Sequence, residues 1–562
     1  MTPFGGGARP WAAAYGRQLL FALLVLASPL LNTASATDND VELGRRIYEQ
    51  GILPDGSPLS AMHSEGGVLF VSKSAACINC HRRSGLGSVE GSEATTVLVP
   101  PVAGPLLFRA ARFHGKSFDR SRHWIPNEAW ARSLTRSAYN EQTLARALRE
   151  GIDADGNRLM IPMPRYALDE QSVSVLTAYL KQLASQAAPG VEADSLHLAT
   201  VITPDVSAEQ ADAMLGVVRA WSAHARGVAK HWKLHVWQLS GPAERWHEQL
   251  QAYYRQQPVF ALLSGAGGAH WSPVHRFCEE NRLPCVLPSL ELAPENEGGY
   301  YPIYYSPGVS LEARLLAAHL AASRAPSPVV QLFSDDTGEQ AAQQVRSHWT
   351  AADAQLMERR YDGRPEEALA HLPRDGTLML WLRPAQIQQL VAAAPQGPAV
   401  QQVFISALLA PPEALDLPPE WKARVVWISL FDDVGVQAQI ARARLQRWLK
   451  QQGLPDRGTL RVQADAYAAC YLFTSALSAL SSEEWRRPAV PLNRDHLIEA
   501  LENIVNKYSD GSRRVDSESH VAYYGRMSLG PGQRVAVRGG GLLRYASPDS
   551  TRLELASERI VP

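Results

Sequence analysis

Two thiols and one imidazole form the most specific motif of the chain, Cys77-Ile78-Asn79-Cys80-His81. Cysteines at this spacing can form thioether bonds with the two vinyl groups of one porphyrin, and the histidine that follows can bind the iron. A zinc site also uses a C-x-x-C pair, but it needs further Cys or His residues nearby, and the next cysteine is Cys278. The motif therefore predicts one covalent haem c with His81 as an iron ligand.

A second iron ligand is expected further along the chain. Thioether sulfur is a frequent ligand in haems that only pass electrons. Met163 lies just before a proline and a predicted helix, and it is the preferred candidate. Met160 is an alternative upstream, and His114 and His123 are further alternatives. The sequence has no second C-x-x-C-H motif, which argues against a dihaem peroxidase.

Helices would have to position these ligands. Asn140 is a good N-cap and Gly151 a good C-terminal stop, so a helix is predicted between them. Asp169 can cap a second helix, which places its apolar residues on one face. These apolar residues are Val173, Leu176, Leu180 and Leu183. We expect an all-α domain over residues 38–184.

Residues 42–184 resemble a class I monohaem cytochrome c domain. The resemblance lies in a helix at Leu43–Glu49, in Met163-Pro164-Arg165-Tyr166, and in the helix end Ala178–Leu183. The segment Val99–Gly104 resembles the proline loop of this family, in which a backbone carbonyl accepts a hydrogen bond from the proximal imidazole. The resemblance implies that this domain holds a haem between two axial ligands.

The same resemblance implies roles for four residues. Cys77 and Cys80 would form the thioether bonds, His81 would be the proximal ligand and Met163 the distal ligand. The insertion Leu107–Leu134 is longer than in the smallest members of the family, and it either covers a haem edge, docks a partner or only packs.

The N-terminus reads as a signal peptide over residues 1–36. Arg9 and Arg17 precede the apolar run Leu19–Leu31, which is followed by Ala34-Ser35-Ala36. A basic segment, a short apolar run and an A-x-A site are typical of secretory signals. We therefore expect a periplasmic protein with no membrane span after signal cleavage.

Length indicates the number of domains, and charge indicates which kinds of partner are expected. The 562 residues predict about two to four domains. Lys and Arg number 55 against 56 for Asp and Glu, so there is no basic excess of the kind that nucleic-acid binding requires. Nucleic acid is therefore not an expected partner.

Strands and helices alternate after a small polar linker at residues 185–195. Alternation of this kind predicts parallel sheets covered on both faces, and the number of units predicts two α/β lobes over residues 196–546, followed by a C-terminal tail at 547–562. The predicted strands are 197–203, 233–239, 259–264, 284–289, 329–334, 377–382, 403–408 and 424–429, and the predicted helices include Ala208–Ala225, Leu311–Ala322 and Gln437–Gln451.

Residues 196–546 resemble type I periplasmic binding proteins of the Leu/Ile/Val-binding class. The resemblance lies in the order of local patterns: VFALLSGAGG at 259–268, FCEENRLPCVLPSL at 277–290, VVQLFSDDTGEQA at 329–341 and ADAYAACYLFTSAL at 464–477. It implies that a small ligand binds between the lobes at the carboxyl ends of the strands. The candidate ligand-binding residues are Ser264, Gly265, Ser289, Tyr304 (or Tyr305), Asp336 and Ser406.

The positions of the remaining cysteines predict whether they are paired or buried. Cys278 and Cys285 lie at a predicted helix end and strand start in an oxidising compartment, which predicts a disulfide. Cys470 lies in an apolar helix stripe and is expected to be a buried small hydrophobe.

The sequence thus predicts an all-α cytochrome c domain followed by a two-lobed α/β binding domain. The expected function is one-electron transfer through haem c, without enzymatic activity, to or from a periplasmic dehydrogenase or another cytochrome. The binding domain would sense or capture an unidentified small molecule. The alternative is the substrate-binding protein of an ABC-type uptake system with an accessory haem domain. A third interpretation is a haem enzyme with an open distal site.

Overall fold

The computed structural model describes residues 33–63, 67–90, 97–111, 135–159, 163–224, 230–295, 297–323, 328–349, 355–431, 434–456, 460–482, 490–509, 524 and 527–562. They form two compact units, one ending at Ala187 and one beginning at Ala188, and residues 490–493 group with the first. Most of the predicted signal peptide lies outside the described residues, as do Met160, His114 and His123. No described helix is both long enough and apolar enough to cross a bilayer.

The first unit combines helices with short strands. Its helices are α1 (Thr33–Gln50), α2 (Ile78–His81), α3 (Gly104–Leu107), α4 (Glu141–Glu150) and α5 (Glu170–Gln182). Its strands are β1 (Ser60–Met62), β2 (Leu69–Val71), β3 (Ser88–Glu90), β4 (Val97–Val99) and β5 (Arg165–Tyr166). Strands β2, β1 and β5 form an antiparallel sheet, and β3 pairs with β4. The all-α prediction is therefore wrong for this unit, because strands of two or three residues are too short to show a period-2 pattern.

Capping residues set the helix ends as predicted. The Asn140 side chain accepts a hydrogen bond from the Thr143 N–H at 2.8 Å, and Gly151 ends α4 with a φ of 73°. Asp169 accepts a hydrogen bond from the Ser172 N–H at 2.7 Å at the start of α5. These bonds satisfy backbone groups that a helix end leaves unpaired.

Close packing of α1 against α5 forms the core of the first unit. At the crossing, a Cβ on Gly44 would lie 2.1 Å from the carbonyl oxygen of Val175, so no larger residue fits there. The Tyr48 and Tyr179 rings pack 5.4 Å apart beside this point. Buried apolar residues fill the remaining core, including Ile47, Leu144, Leu148, Val173, Leu176 and Leu180.

The first lobe of the second unit is built on a parallel sheet. Its strands are β6 (Ser195–Ile202), β7 (His231–Gln238), β8 (Ala261–Leu263), β9 (Ala266–Gly267), β10 (Cys285–Val286), β11 (Ser289–Leu290) and β12 (Pro302–Ile303). Parallel pairs join β7 to β6, β6 to β8, β8 to β10 and β10 to β12. The short strands β9 and β11 pair beside them. Helices α6 (Ala208–His224), α7 (Trp246–Gln256) and α8 (Ser272–Glu280) connect the strands.

The second lobe repeats this arrangement. Its parallel strands are β13 (Val329–Phe333), β14 (Leu356–Arg360), β15 (Thr377–Trp381), β16 (Gln402–Ser406) and β17 (Val425–Ser429), in the order β14-β13-β15-β16-β17. Its helices are α9 (Val309–Ser323), α10 (Asp336–His348), α11 (Pro365–Ala370), α12 (Pro384–Ala393) and α13 (Pro419–Lys422). The two-lobed α/β prediction is confirmed, and all eight predicted strands are present.

The chain crosses between the lobes three times. After β12 it passes into α9, and after β17 it returns through α14 (Val436–Gln451) to α15 (Leu460–Ser482) and α16 (Arg494–Ser509). Helix α15 packs on α6 and β8 of the first lobe. The last crossing leads to β18 (Gly541–Tyr545) and β19 (Leu553–Leu555), which join the second sheet in antiparallel orientation.

Two predicted boundaries are corrected by these strands. The predicted linker, residues 185–195, ends inside β6, and the predicted tail, residues 547–562, contains β19. β19 lies on an edge and is partly exposed, so its sequence shows no continuous apolar run.

The predicted disulfide between Cys278 and Cys285 is not formed in the structure. Both thiols are free and fully buried, and they are hydrogen-bonded to each other. Burial is the main cause that raises the pKa of the Cys278 thiol, which disfavours the thiolate that disulfide exchange needs. Cys470 is buried, as predicted.

The core of the second lobe gives a test of this fold. Phe404 in β16 is fully buried and its ring contacts that of His319. Replacement Phe404→Ala is expected to lower the free energy of unfolding by about 3–5 kcal/mol, because it removes buried apolar area and leaves a cavity. The control Leu555→Ala removes an exposed side chain and should change it by about 0.5 kcal/mol or less. Urea titration followed by circular dichroism measures both values, and equal losses would contradict the assigned core.

Candidate functional site

The carboxyl ends of the two parallel sheets meet across a cleft in the second unit. In each lobe the strand order reverses between the first and third strands, and ligands of open α/β sheets bind at such points. In the first lobe Asp205 follows β6 and Gly268 follows β9. In the second lobe Asp335 follows β13 and Arg383 follows β15. The topology thus places these four residues at the two switch points.

A small cavity lies at the switch point of the first lobe, lined by residues of that lobe and of the first turn of α15. Its volume is about 30 Å³, which is room for about two water molecules. The lining residues are Asp205, Val206, Gln210, Ala266, Gly267, Gly268, Ser289, Leu290, Glu291, Arg461 and Val462.

An ion pair between the lobes closes the cleft beside this cavity. Arg383 of the second lobe binds both carboxylate oxygens of Glu291 in the first lobe, with Nη2 2.8 Å from Oε2. Its Nε donates to Asp335 at 2.8 Å, and the Thr337 hydroxyl donates to Glu291 at 3.2 Å. Asp335 is fixed in turn, because it accepts a hydrogen bond from the Gly338 N–H at the start of α10. We call the Arg383–Glu291 pair the latch.

A buried polar network lies behind the cavity. The Ser289 hydroxyl donates to the Asp465 carboxylate at 2.6 Å, and the Tyr305 hydroxyl donates to the Asp465 carbonyl at 2.6 Å. Burial raises the pKa of Asp465, and the nearby Arg461 guanidinium and the Ser289 hydroxyl oppose that rise. The network ties the Ser289 loop of the first lobe to the start of α15.

Arg461 connects this network to the cavity wall and to the second lobe. Its Nη1 donates to the Leu408 carbonyl at 3.2 Å, and its guanidinium lies 4.9 Å from the centre of the Phe431 ring. Its Nε is buried and has no hydrogen-bond partner among the described residues. A buried charged group with an unpaired N–H is costly unless something else binds it.

Glu312 is a second buried ionisable group, on the helix α9 that follows the first crossing between the lobes. It is fully buried, its Oε1 accepts a hydrogen bond from the Leu408 N–H at 3.1 Å, and the Ser406 hydroxyl donates to Oε2. Burial raises the pKa of Glu312 to about 8, against the opposing effects of Ser406 and Arg461. The raised pKa favours the protonated carboxyl group in the folded protein at neutral pH.

The structure brings few of the predicted ligand-binding residues into the cavity. Ser289 lines it, but Ser264 and Gly265 do not. Ser264 is fully buried with a φ of 56°, and its hydroxyl has no partner among the described residues. The predicted role of these two residues is not supported by their position, because the strand β8 ends before the cavity and β9 carries the chain on to its wall.

The other candidates do not line the cavity. The Tyr304 hydroxyl is hydrogen-bonded to His275 at 2.8 Å in the buried interior. The Asp336 side chain is mostly exposed and lies 3.4 Å from His270, and Ser406 is bound by Glu312. Tyr305, the alternative to Tyr304, belongs to the buried network.

Sequence reasoning missed the latch and Arg461. Glu291 and Arg383 each follow a strand end within two residues, and that position was the available signal. The resemblance to known binding proteins favoured helix N-termini and loop hydroxyls at these strand ends, and the acidic candidate was Asp336. Arg461 had no signal, since it lies in the first turn of α15, far along the chain from the strands it faces.

The first unit places the C-x-x-C-H residues around the short helix α2. Cys77 is its N-cap, and His81 is buried with Nδ1 2.9 Å from the Pro100 carbonyl oxygen. A carbonyl only accepts, so Nδ1 carries the proton and Nε2 is unprotonated. Burial lowers the pKa of His81 and raises that of Cys77 to about 12. Met163 packs partly buried against the core of this unit, and the roles predicted for Cys77, Cys80, His81 and Met163 stay predictions.

Comparison with known proteins gives matches only among solved structures. No protein-family model and no curated protein matches the chain. The fatty acid ABC transporter substrate-binding protein from Thermomonospora curvata is 14% identical with a TM-score of 0.48, covering 67% of this chain and 95% of that one. The leucine binding protein LivK from Thermotoga maritima is 11% identical with a TM-score of 0.46, covering 65% and 99%. The branched-chain amino acid transporter substrate binding protein LivJ from Streptococcus pneumoniae, in complex with isoleucine, is 12% identical with a TM-score of 0.47, covering 66% and 100%.

These findings correct the predicted function and cofactor. The three similar structures are substrate-binding proteins by name, and about two thirds of this chain aligns with them. The prediction of one-electron transfer through haem c, with a redox partner, is therefore withdrawn. The alternative prediction, a substrate-binding protein, agrees better with the comparisons.

Removing the latch is expected to loosen the cleft. Replacement Arg383→Met leaves Glu291 without its partner in a largely buried site, which should cost about 1–3 kcal/mol of local stability. Backbone amides at 266–291 and 335–338 should then exchange hydrogen about tenfold faster or more. The control Arg544→Met breaks an exposed pair with Glu554 and should leave these amides unchanged. Unchanged exchange in both variants, measured by mass spectrometry, would show that the latch does not hold the cleft.

Glu312 is expected to make stability depend on pH. Between the ordinary pKa of a glutamate and about 8, the folded protein keeps this proton and the unfolded chain does not. The free energy of unfolding should therefore fall as pH rises through this window, by up to about 1.4 kcal/mol per pH unit. Glu312→Gln should remove this part of the slope, whereas Glu366→Gln, an exposed change, should keep it. Urea titrations from pH 5.5 to 8.5 measure the slopes, and identical slopes would contradict the assignment.

Proposed function

We propose that the protein is an exported substrate-binding protein whose second unit takes up a small polar molecule in the cleft between its lobes. The observation that carries the proposal is the ion pair of Arg383 with Glu291, which joins the strand ends of the two lobes beside a cavity at the switch point of the first lobe. The three crossings support it as well, because connecting segments of this kind allow two lobes to open and close as rigid bodies. An ABC-type uptake system is the partner that such a protein would serve.

Closure explains how the cleft would hold its ligand. In the structure the latch is intact and holds the strand ends of the two lobes together. A ligand would enter while Arg383 and Glu291 are apart and would then lie between the loops that carry Asp205, Gly268 and Ser289. Renewed closure would exclude water and strengthen every polar contact in the site.

The lining favours a ligand with hydrogen-bonding groups. Gly267 and Gly268 line the cavity, and a Cβ on Gly268 would lie 2.6 Å from the Asp205 carboxylate. Asp205 itself is held by the Thr203 hydroxyl and by the Ala269 N–H at 3.1 Å. The similar structures are named for leucine, branched-chain amino acids and fatty acids, so these compounds are the first to test.

A cavity-filling variant tests the proposal. Val206 lines the cavity and is half-buried, so Val206→Trp should occupy the space and weaken ligand binding at least tenfold. In the wild type, ligand at 100 times its Kd should stabilise the fold by about 2.7 kcal/mol. Thermal unfolding with leucine, isoleucine, valine and short fatty acids measures this effect.

The matched control is Val436→Trp, which places the same side chain at an exposed position on α14. It should bind ligand like the wild type. Absence of stabilisation by every compound of the panel, or equal binding by both tryptophan variants, would contradict binding in this cleft.

A further inference from the structure

Helix α14 has one buried face and one face that the described part of the chain leaves uncovered. Trp448 lies beside the buried face and packs on Trp221 of α6, with 5.8 Å between the ring centres. On the uncovered face Val436 is 71% exposed, and Ile440, one turn further, is 42% exposed. The helix is therefore fixed to the first lobe on one side and free on the other. The residues of the buried face are Ala438, Ala441, Leu445 and Leu449.

Three cations continue the apolar pair along the uncovered face. A helix turns by about 100° per residue, so Arg447 lies in line with Val436 and Ile440. Arg444 and Lys450 lie on either side of that line. Arg447 and Lys450 are exposed, and Arg444 is half-buried. We call these five residues the outer ridge.

The outer ridge is cationic although the chain as a whole is not. Lys and Arg number 55 against 56 for Asp and Glu, whereas the 16 residues of α14 include four cations and no acid. Of these cations, Arg442 lies on a flank of the helix and is paired with Glu413 at 3.5 Å. Among the described residues no carboxylate forms an ion pair with the three cations of the ridge. A partner with complementary charge is therefore anionic.

We propose that the outer ridge docks on a membrane surface of anionic phospholipid. The three cations would lie against lipid phosphates, while Val436 and Ile440 enter the boundary between headgroups and acyl chains. The ridge is convex and runs for about 21 Å from Val436 to Lys450. Lipid headgroups move aside for a convex ridge, whereas a protein partner would have to supply a matching acidic groove. This docking does not depend on what the cleft binds.

Vesicle sedimentation with the full-length protein tests the proposal. Vesicles of phosphatidylcholine alone are compared with vesicles of equal parts phosphatidylcholine and phosphatidylglycerol. A cation near an anionic surface raises the partition coefficient about fivefold, so three should give at least about a tenfold preference for the anionic vesicles at low salt. The preference should fall as salt is added, because screening weakens these charges. Equal partition into the two kinds of vesicle would overturn the proposal.

Two triple variants assign the preference to the ridge. The variant Arg444→Gln/Arg447→Gln/Lys450→Gln should lower partition into the anionic vesicles at least about tenfold. Its substitutions lie on the uncovered face, and circular dichroism checks that the fold is retained.

The matched control is Arg346→Gln/Arg360→Gln/Arg544→Gln, which removes three exposed cations and changes the net charge by the same amount. Its partition should stay within about threefold of the wild type. Equal losses in the two triple variants would show that net charge, and not the ridge, attracts the protein, and would overturn the proposal.

The apolar pair distinguishes a lipid surface from an acidic protein. The variant Val436→Ser/Ile440→Ser should lower partition into the anionic vesicles at least about threefold, because less apolar surface leaves water on docking. It should leave binding to polyglutamate, a soluble polyanion, unchanged. Unchanged vesicle binding by this variant, or binding of polyglutamate without binding of anionic vesicles, would overturn the proposal and indicate an acidic protein as the partner.

Discussion

Buried charge at the crossing between the lobes is the constraint on which the second unit depends. Arg461, Asp465 and Glu312 are withdrawn from water at the point where the chain passes from one lobe to the other. Ionisable groups in such a place would cost several kcal/mol each without hydrogen-bond partners. Ser289 and Tyr305 supply them from the first lobe, and Ser406 and Leu408 from the second. The relative position of the two sheets follows from satisfying these groups together.

Local sequence patterns predicted most of the architecture. The eight strands were evident because parallel strands buried on both faces are continuous β-branched and apolar runs, as in Val329–Phe333. Helix ends were evident from Asn140, Gly151 and Asp169, whose side chains or backbone conformations satisfy helix termini. Strand β14, with the sequence LMERR, was missed because it lies on an edge of the sheet and is only half-buried.

The site was predicted less well because it depends on contacts between distant residues. Glu291 and Arg383 are 92 positions apart, and Ser289 and Asp465 are 176 apart. No local pattern encodes such pairs, and a single sequence contains no covariation that would. The error in function has a different origin. The predicted function rested on a five-residue motif with a specific chemistry, whereas the larger unit of the chain is a two-lobed α/β structure.

The return of the chain to the second lobe has a consequence for its synthesis. Strands β13 to β17 follow one another along the chain with no element of the other lobe between them. Strands β18 and β19 complete the edge of the same sheet, but three helices of the other lobe separate them from β17 in sequence. During synthesis, the β17 edge of this sheet therefore stays unpaired until more than a hundred further residues have been translated. Open strand edges pair readily with other chains. The second lobe should accordingly be the part that needs protection during translation and export, and loss of residues 541–555 should lead to aggregation rather than to a smaller folded lobe.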